Sequence, residues 1–288
     1  MGDARPHRDE RAAIFLHVGK TAGWTLRQIL YRNVPRRQVM RVRPPVQRPR
    51  GFLNDEPLRA FAALPEAERA RPRLLVSHMI FGIHESVPGD STYFTMLREP
   101  VARALSQYRH VLRRPEHRLH AAAAAGELSL ERYVTGGVAL EMDNGQTRAL
   151  AGDIETPFGE CTPEMLERAK RNLDERFAVA GVTERFDEML VALGREFGWR
   201  RLYYVRANAA PEGQRVPVTE ADRQMIRDRN ALDCELYRYV VQRFDETVAR
   251  DPRFAAELRR FQRGNRLYRP WGRFAYGAKQ AAVRRTRA

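Results

Sequence analysis

Residues 12–25 read AAIFLHVGKTAGWT, and this stretch decides the fold. Ala12 to Val18 is a short apolar run broken only by His17, as expected of a strand buried on both faces. It stops at Gly19-Lys20-Thr21-Ala22-Gly23, and helical spacing of apolar residues begins at Trp24 and continues to Tyr31. Strand, glycine-bearing loop and helix together present unpaired backbone N–H groups and the positive end of a helix dipole to an anion. Lys20 adds a mobile ammonium, and Thr21 and Thr25 add hydroxyls suited to phosphate or sulfate oxygens. The lysine is informative because arginine is used almost everywhere else: of 51 basic residues only Lys20, Lys170 and Lys279 are lysines. The loop is not the GxxxxGK[ST] phosphate loop, which needs glycine where Ile14 stands.

Working outward, further strands are expected at 73–77, 92–97, 177–182 and 202–205. Helices are expected near 100–113, 128–135, 139–150, 162–175, 186–197, 219–229, 231–249 and 252–262. Strands alternating with helices imply a three-layer α/β/α domain around a mainly parallel sheet, here assigned to 12–263. Residues 1–11 read as a disordered lead-in, 34–57 as a Pro- and Arg-rich loop, and 264–288 as a basic tail carrying Trp271, Phe274 and Tyr276. No apolar stretch is long enough for a membrane span, and no apolar signal core precedes Arg11, which points to a cytoplasmic location.

The net charge of +15 favours anionic partners: nucleotides, acidic glycans, nucleic acid or membrane surfaces. No zinc-finger spacing, basic heptad helix or ribonucleoprotein motif is present, so nucleic acid is not the expected partner. Cys161 and Cys234 are too few for a disulfide framework or a multi-cysteine metal site and read as ordinary thiols. No histidine–carboxylate spacing points to a metal.

A second segment carries chemistry. Leu97 to Tyr108 reads LREPVARALSQY, with Arg98 at the end of a strand, where open α/β sheets bind ligands. Ser106 follows about two helical turns later, and an arginine fork with a serine hydroxyl can hold a phosphate dianion. FLHVGKTAGWTL resembles the 5′-phosphosulfate-binding loop of sulfotransferases that use 3′-phosphoadenosine 5′-phosphosulfate (PAPS). LREPVARALSQY resembles their 3′-phosphate-binding segment. DNGQTRALAG (143–152) and VAGVTERFDEML (179–190) extend the likeness over roughly 12–250. The combination is similar to the carbohydrate branch containing heparan and uronyl 2-O-sulfotransferases, with its bacterial relatives and P-loop-like fold.

The resemblance implies that Lys20, Thr21, Ala22, Gly23 and Thr25 bind the 5′-phosphosulfate, that Arg98 and Ser106 bind the 3′-phosphate, and that no metal is needed. The family usually has Thr or Ser where this chain has Trp24. Either Thr25 supplies that contact or it is lost, and Trp24 touches the donor or simply packs as the first helical residue. Arg206, after the 202–205 segment, could also reach a nucleotide phosphate.

His78 sits in Ser77-His78-Met79-Ile80-Phe81-Gly82 after the second expected strand, and an imidazole there can take a hydroxyl proton. The resemblance places a catalytic histidine in a segment of this kind. His17 reads as a packing or hydrogen-bonding residue, His84 as a solvated loop residue, and His110, His117 and His120 as part of a basic surface. Asn144, Gln146 and Arg148 read either as positioning groups for acceptor or donor site or as an exposed polar helix face. The expectation is in-line transfer of a sulfuryl group from PAPS to a hydroxyl, on a carbohydrate, with Lys20 and His78 catalytic. The alternatives are an ATP-dependent kinase with an atypical phosphate loop, and a non-catalytic binder of nucleic acid or acidic polymer.

Overall fold

The computed structural model describes residues 11–42, 52–205 and 217–285. Five strands form one all-parallel sheet: β1 (Ala12–Leu16), β2 (Val39–Arg41), β3 (Leu74–Ser77), β4 (Ser91–Leu97) and β5 (Phe177–Val182), in the order β2-β3-β1-β4-β5. Helices α1 (Gly23–Asn33), α2 (Glu56–Ala62), α3 (Glu66–Arg69), α4 (Pro100–Arg113), α5 (His120–Ala124) and α6 (Leu130–Thr135) lie between β1 and the middle of the chain. Then follow α7 (Gly145–Ala151), α8 (Pro163–Arg176), α9 (Phe186–Phe197), α10 (Glu220–Arg229), α11 (Ala231–Ala249) and α12 (Phe254–Arg285).

The two-residue repeat of a strand sends alternate side chains to opposite faces. Ile14 and Leu16 enter a core with Leu75, Tyr93 and Leu97 on one face of the sheet. Ala13 and Phe15 enter a second core with Leu74, Val76, Phe94 and Met96 on the other. Both faces are therefore covered, which is why these strands read as unbroken apolar runs.

From β1 the chain first builds β2 and β3 on one side, then crosses to β4 and β5 on the other. The C-terminal edge of β1 is thus the topological switch point, where such sheets bind ligands.

Several expectations differ. Of the 34–57 segment, residues 43–51 lie outside the described residues; the rest holds a helical turn at Arg36–Gln38, the start of α2 at Glu56, and the edge strand β2, whose three residues between Pro- and Arg-rich flanks give little pattern to read. Residues 202–205 form no strand and join no sheet among the described residues. Tyr204 is instead held by side chains: its N–H donates to Asn265 Oδ1 at 2.8 Å and its hydroxyl to Asp187 at 2.8 Å. The helix expected at 139–150 is split, because Asn144 adopts φ 52 between a short turn and α7. The helix expected to end near 262 runs on as α12 into the segment read as a tail. Of the expected lead-in, residues 1–10 lie outside the described residues, while Arg11 pairs with Glu196 at 2.9 Å.

Candidate active site

The loop between β1 and α1 is built around two left-handed residues, Lys20 (φ 68) and Ala22 (φ 58). Neither is glycine, so each carries a conformational cost of about 1–3 kcal/mol that the surroundings must offset. Curled backbone of this kind forms a concavity suited to anions. No side chain caps α1 at Ala22, and its first turn holds no acid, so its leading N–H groups remain available to a ligand. Thr21 differs from expectation in its orientation: it is fully buried, and its hydroxyl proton goes to Val18 O at 2.8 Å. Its side chain fastens the loop from within. Thr25 is half-buried in the first turn of α1. Trp24 does not pack into a core; it is 42% exposed and lies 5.6 Å from the Arg27 guanidinium.

Gly23 has a steric reason that the sequence does not show. A Cβ there would lie 1.6 Å from His17 Nε2. We expect Gly23→Ala to displace His17 or α1 and lower stability by about 1–3 kcal/mol or more, read as a fall in the thermal midpoint. An unchanged midpoint would contradict the packing.

Lys20 projects from the loop into a basic environment. Burial, and then Arg113, Arg98 and Arg114, lower its pKa to about 8. His110 is half-buried near the same charges; burial first, then Lys20 and Arg114, bring it to about 4. Ser106, Arg109, His110 and Arg113 recur on α4 at the spacing that shares one helix face. Ser106 is half-buried on that face. Like charges gathered this closely are unfavourable unless an anion joins them. Arg109, Arg113 and Arg114 were not foreseen, because at the end of a helix they read as an ordinary solvated surface.

Arg98 is positioned at both ends. Its guanidinium donates to Lys20 O at 3.2 Å, tying it to the loop. Its backbone is clamped by Gln146, whose Oε1 accepts from Arg98 N at 2.9 Å and whose Nε2 donates to Arg98 O at 2.9 Å. Glu99 caps α4 by accepting from Val101 N and Ala102 N at 3.0 and 2.7 Å.

Gln146 belongs to a buried network, not to an exposed face. Asp233 at the start of α11 accepts from Gln146 N and Thr147 N at 3.1 and 2.7 Å, capping α7. Asn144 at the start of α7 accepts in return from Leu232 N and Asp233 N at 3.0 and 3.1 Å, capping α11. Arg148, fully buried, bonds Asp143 Oδ2 at 2.6 Å and the carbonyls of Thr156 and Pro157. The polar stretch 143–148 therefore fixes the backbone of Arg98 at the end of β4.

His78 lies one strand over from the loop. Its Nδ1 is 2.9 Å from His17 O. A carbonyl only accepts, so Nδ1 carries the proton and Nε2 is left as the basic nitrogen. The ring stacks on His17 with centroids 4.0 Å apart, and His17 stacks on Phe15 at 5.0 Å. Although His78 keeps an exposed side, the protein packed around its ring disfavours the imidazolium. Against the hydrogen bond to His17, which raises it, and with Arg27, Arg41 and Lys20 adding to the lowering, its pKa falls to about 4. His17, buried, is also held well below the usual imidazole range, by burial first and then by His78. His84 is not simply solvated; its Nδ1 lies 2.9 Å from the Tyr93 hydroxyl. Arg206 lies outside the described residues.

The strand order sets these groups in a row along one sheet edge: Arg41 on β2, His78 after β3, Lys20 after β1, Arg98 after β4. A neutral imidazole beside several cations at the switch point places the chain among α/β proteins whose sheet edge suits an anionic ligand. Within that class, the chain belongs to the family described as galactose-3-O-sulfotransferase, whose sequence model matches residues 2–270. It is 30% identical over 273 residues to galactose-3-O-sulfotransferase 3 of Mus musculus, covering 89% of this chain and 62% of that protein. The human galactose-3-O-sulfotransferase 3 gives the same identity and coverage. Human galactose-3-O-sulfotransferase 2 is 23% identical over 241 residues. The chain spans less than two thirds of the length of these relatives.

The expected kinship with carbohydrate sulfotransferases stands at the level of the family, and the branch that matches is galactose-3-O. The cytoplasmic location is corrected by the same finding, since galactose-3-O-sulfotransferases are Golgi-resident membrane enzymes. That expectation rested on the lack of a membrane-length apolar stretch and of an apolar signal core before Arg11. A chain covering 62% of its relatives carries no information there about a leader or anchor.

Proposed function

We propose that this chain transfers the sulfuryl group of PAPS to a hydroxyl on a carbohydrate, the 3-hydroxyl of a galactose unit being the first candidate from the names of its relatives. The observation that carries the reading is the pairing, on adjacent parallel strands, of a neutral His78 with the cationic Lys20 loop. The α1 N-terminus and Lys20 would hold the 5′-phosphosulfate. Arg98 would hold the 3′-phosphate, with Ser106 and Arg109 on the neighbouring helix face. Arg98 has N–H donors beyond the one given to Lys20 O, so it can grip a phosphate while tied to the loop. The acceptor would enter from the β2 side, next to His78.

His78 Nε2 would take the proton of the acceptor hydroxyl as that oxygen forms its bond to sulfur. The bond between sulfur and the 5′-phosphate oxygen breaks in line, and Lys20 stabilises the charge left on that oxygen. As in phosphoryl transfer, positioning and electrostatics supply most of the rate.

Calorimetric titration with PAP, the desulfated donor, tests the donor assignment against ATP and AMP. PAP should bind preferentially, and Arg98→Ala should weaken it about tenfold to a hundredfold, the range for a charged hydrogen bond. A preference for ATP, or PAP binding indifferent to Arg98, would overturn the reading.

A further inference from the structure

Helix α12 is attached to the body by one face only. Phe261 and Asn265 are buried, and the Tyr268 hydroxyl accepts from Arg32 at 3.1 Å. Gly264 and Gly272 let the helix close on the 202–205 segment: a Cβ would lie 2.1 Å from the Tyr203 hydroxyl or 2.6 Å from Val205 Cγ2. The opposite face is apolar and, among the described residues, uncovered. Leu267 is 82% exposed, Trp271 64% and Phe274 78%, the three most exposed large apolar side chains among the described residues. Their spacing places them in one stripe along the helix. Arg263 and Arg266 are exposed beside it. Residues 258–288 contain nine arginines, one lysine and no aspartate or glutamate.

The combination selects the occupant. A soluble polyanion would be matched by the arginines alone and would leave Leu267 and Phe274 in water. A neutral apolar partner would gain nothing from ten cations without a single acid. A membrane surface with anionic headgroups rewards both, taking the apolar stripe at the acyl boundary and the tryptophan and arginines at headgroup level. No helix among the described residues is long and apolar enough to cross a membrane, so the contact is peripheral.

We propose that α12 is a membrane-surface helix that lays Leu267, Trp271 and Phe274 onto an anionic lipid bilayer. This orientation is independent of the chemistry at the sheet edge and holds whatever the acceptor is.

The test is flotation of the whole protein with phosphatidylcholine vesicles containing or lacking phosphatidylserine. Wild type should float with the acidic vesicles and release at high salt. Trp271→Glu/Phe274→Glu should reduce the bound fraction about tenfold or more, with PAP affinity unchanged. Because a double glutamate variant can lose its fold, Trp271→Phe gives a second readout. Brominated acidic vesicles should quench the emission of wild type and spare that of the variant.

Failure to float with acidic vesicles would overturn the proposal, as would flotation equal in wild type and double variant. A dimer dispersed by the double variant, with no lipid binding, would assign the stripe to a second copy instead. Heparin retention insensitive to the double variant, again without lipid binding, would assign the charge to a soluble polyanion.

Discussion

His78→Ala should reduce turnover by about 10²–10⁴-fold, the usual worth of a positioned general base, while PAP affinity changes little. The asymmetry follows from geometry. His78 stands after β3, on the side where the proposed acceptor would enter, and its proton-bearing Nδ1 is committed to His17 O, which leaves Nε2 as the basic nitrogen. The stack on His17 fixes the plane of the ring. The pH dependence gives a second readout. Crowding first, and then the nearby cations, hold the imidazole at about 4, so its basic form persists well below the ordinary 6.5. The acid limb of kcat/KM should therefore appear near pH 4, with activity rising as pH increases through that value. A His78→Ala enzyme with most of its activity, or a wild-type acid limb at 6.5 that this variant leaves in place, would remove His78 from the role of base.

Lys20→Ala should lower kcat by about 10²–10³-fold, the effect of removing one preorganised donor from developing negative charge. Binding of PAP should suffer less, because the α1 N–H groups and Arg98 remain. Burial and the three arginines depress this ammonium to about 8, so it loses its charge as pH rises through that value. Wild-type kcat/KM should fall on the alkaline side near pH 8, and Lys20→Arg should abolish that limb because guanidinium keeps its charge. An anionic donor in place favours the charged lysine, so the limb in kcat should lie higher than the limb in kcat/KM. An alkaline limb unchanged in Lys20→Arg would assign it to another group.

Much of this architecture was legible in the chain because it rests on local pattern. β1, β3, β4 and β5 are short apolar runs, and their burial on both faces makes each run continuous. The loop after β1 and the Arg98 segment could be found because strand, loop and helix follow one another within a few residues. What escaped depends on partners distant in sequence. β2 is recognisable only once β3 is there to pair with it. Residues 202–205 have a strand's composition, yet Asn265 and Asp187 rather than a neighbouring strand take their polar groups.

The need for glycine at 23 comes from His17 beneath it, and nothing in either residue alone announces it. Asn144, Gln146 and Arg148 showed as polar residues in a helical run. The burial of Asn144 and Gln146 follows from Asn230 and Asp233, more than 80 positions later, and that of Arg148 from Asp143, Thr156 and Pro157. The cations around Lys20 escaped for another reason: arginine is so common in this chain that three more at a helix end carry no signal.

The reciprocal capping of α7 and α11 has a consequence for how the molecule assembles. The backbone clamp on Arg98 is closed by Gln146, which is itself held by Asp233, 87 positions further along the chain. Contacts of such long sequence separation form slowly and late, since the loop between them must close first. The sheet edge can therefore exist before Arg98, the proposed 3′-phosphate ligand, is fixed, and on that proposal nucleotide affinity becomes a reporter of complete folding rather than of the loop alone. Ligand that binds only the finished form also stabilises it in proportion to occupancy. PAP should accordingly protect the amides of α7 and the first turn of α11 from hydrogen exchange, far from any phosphate it touches.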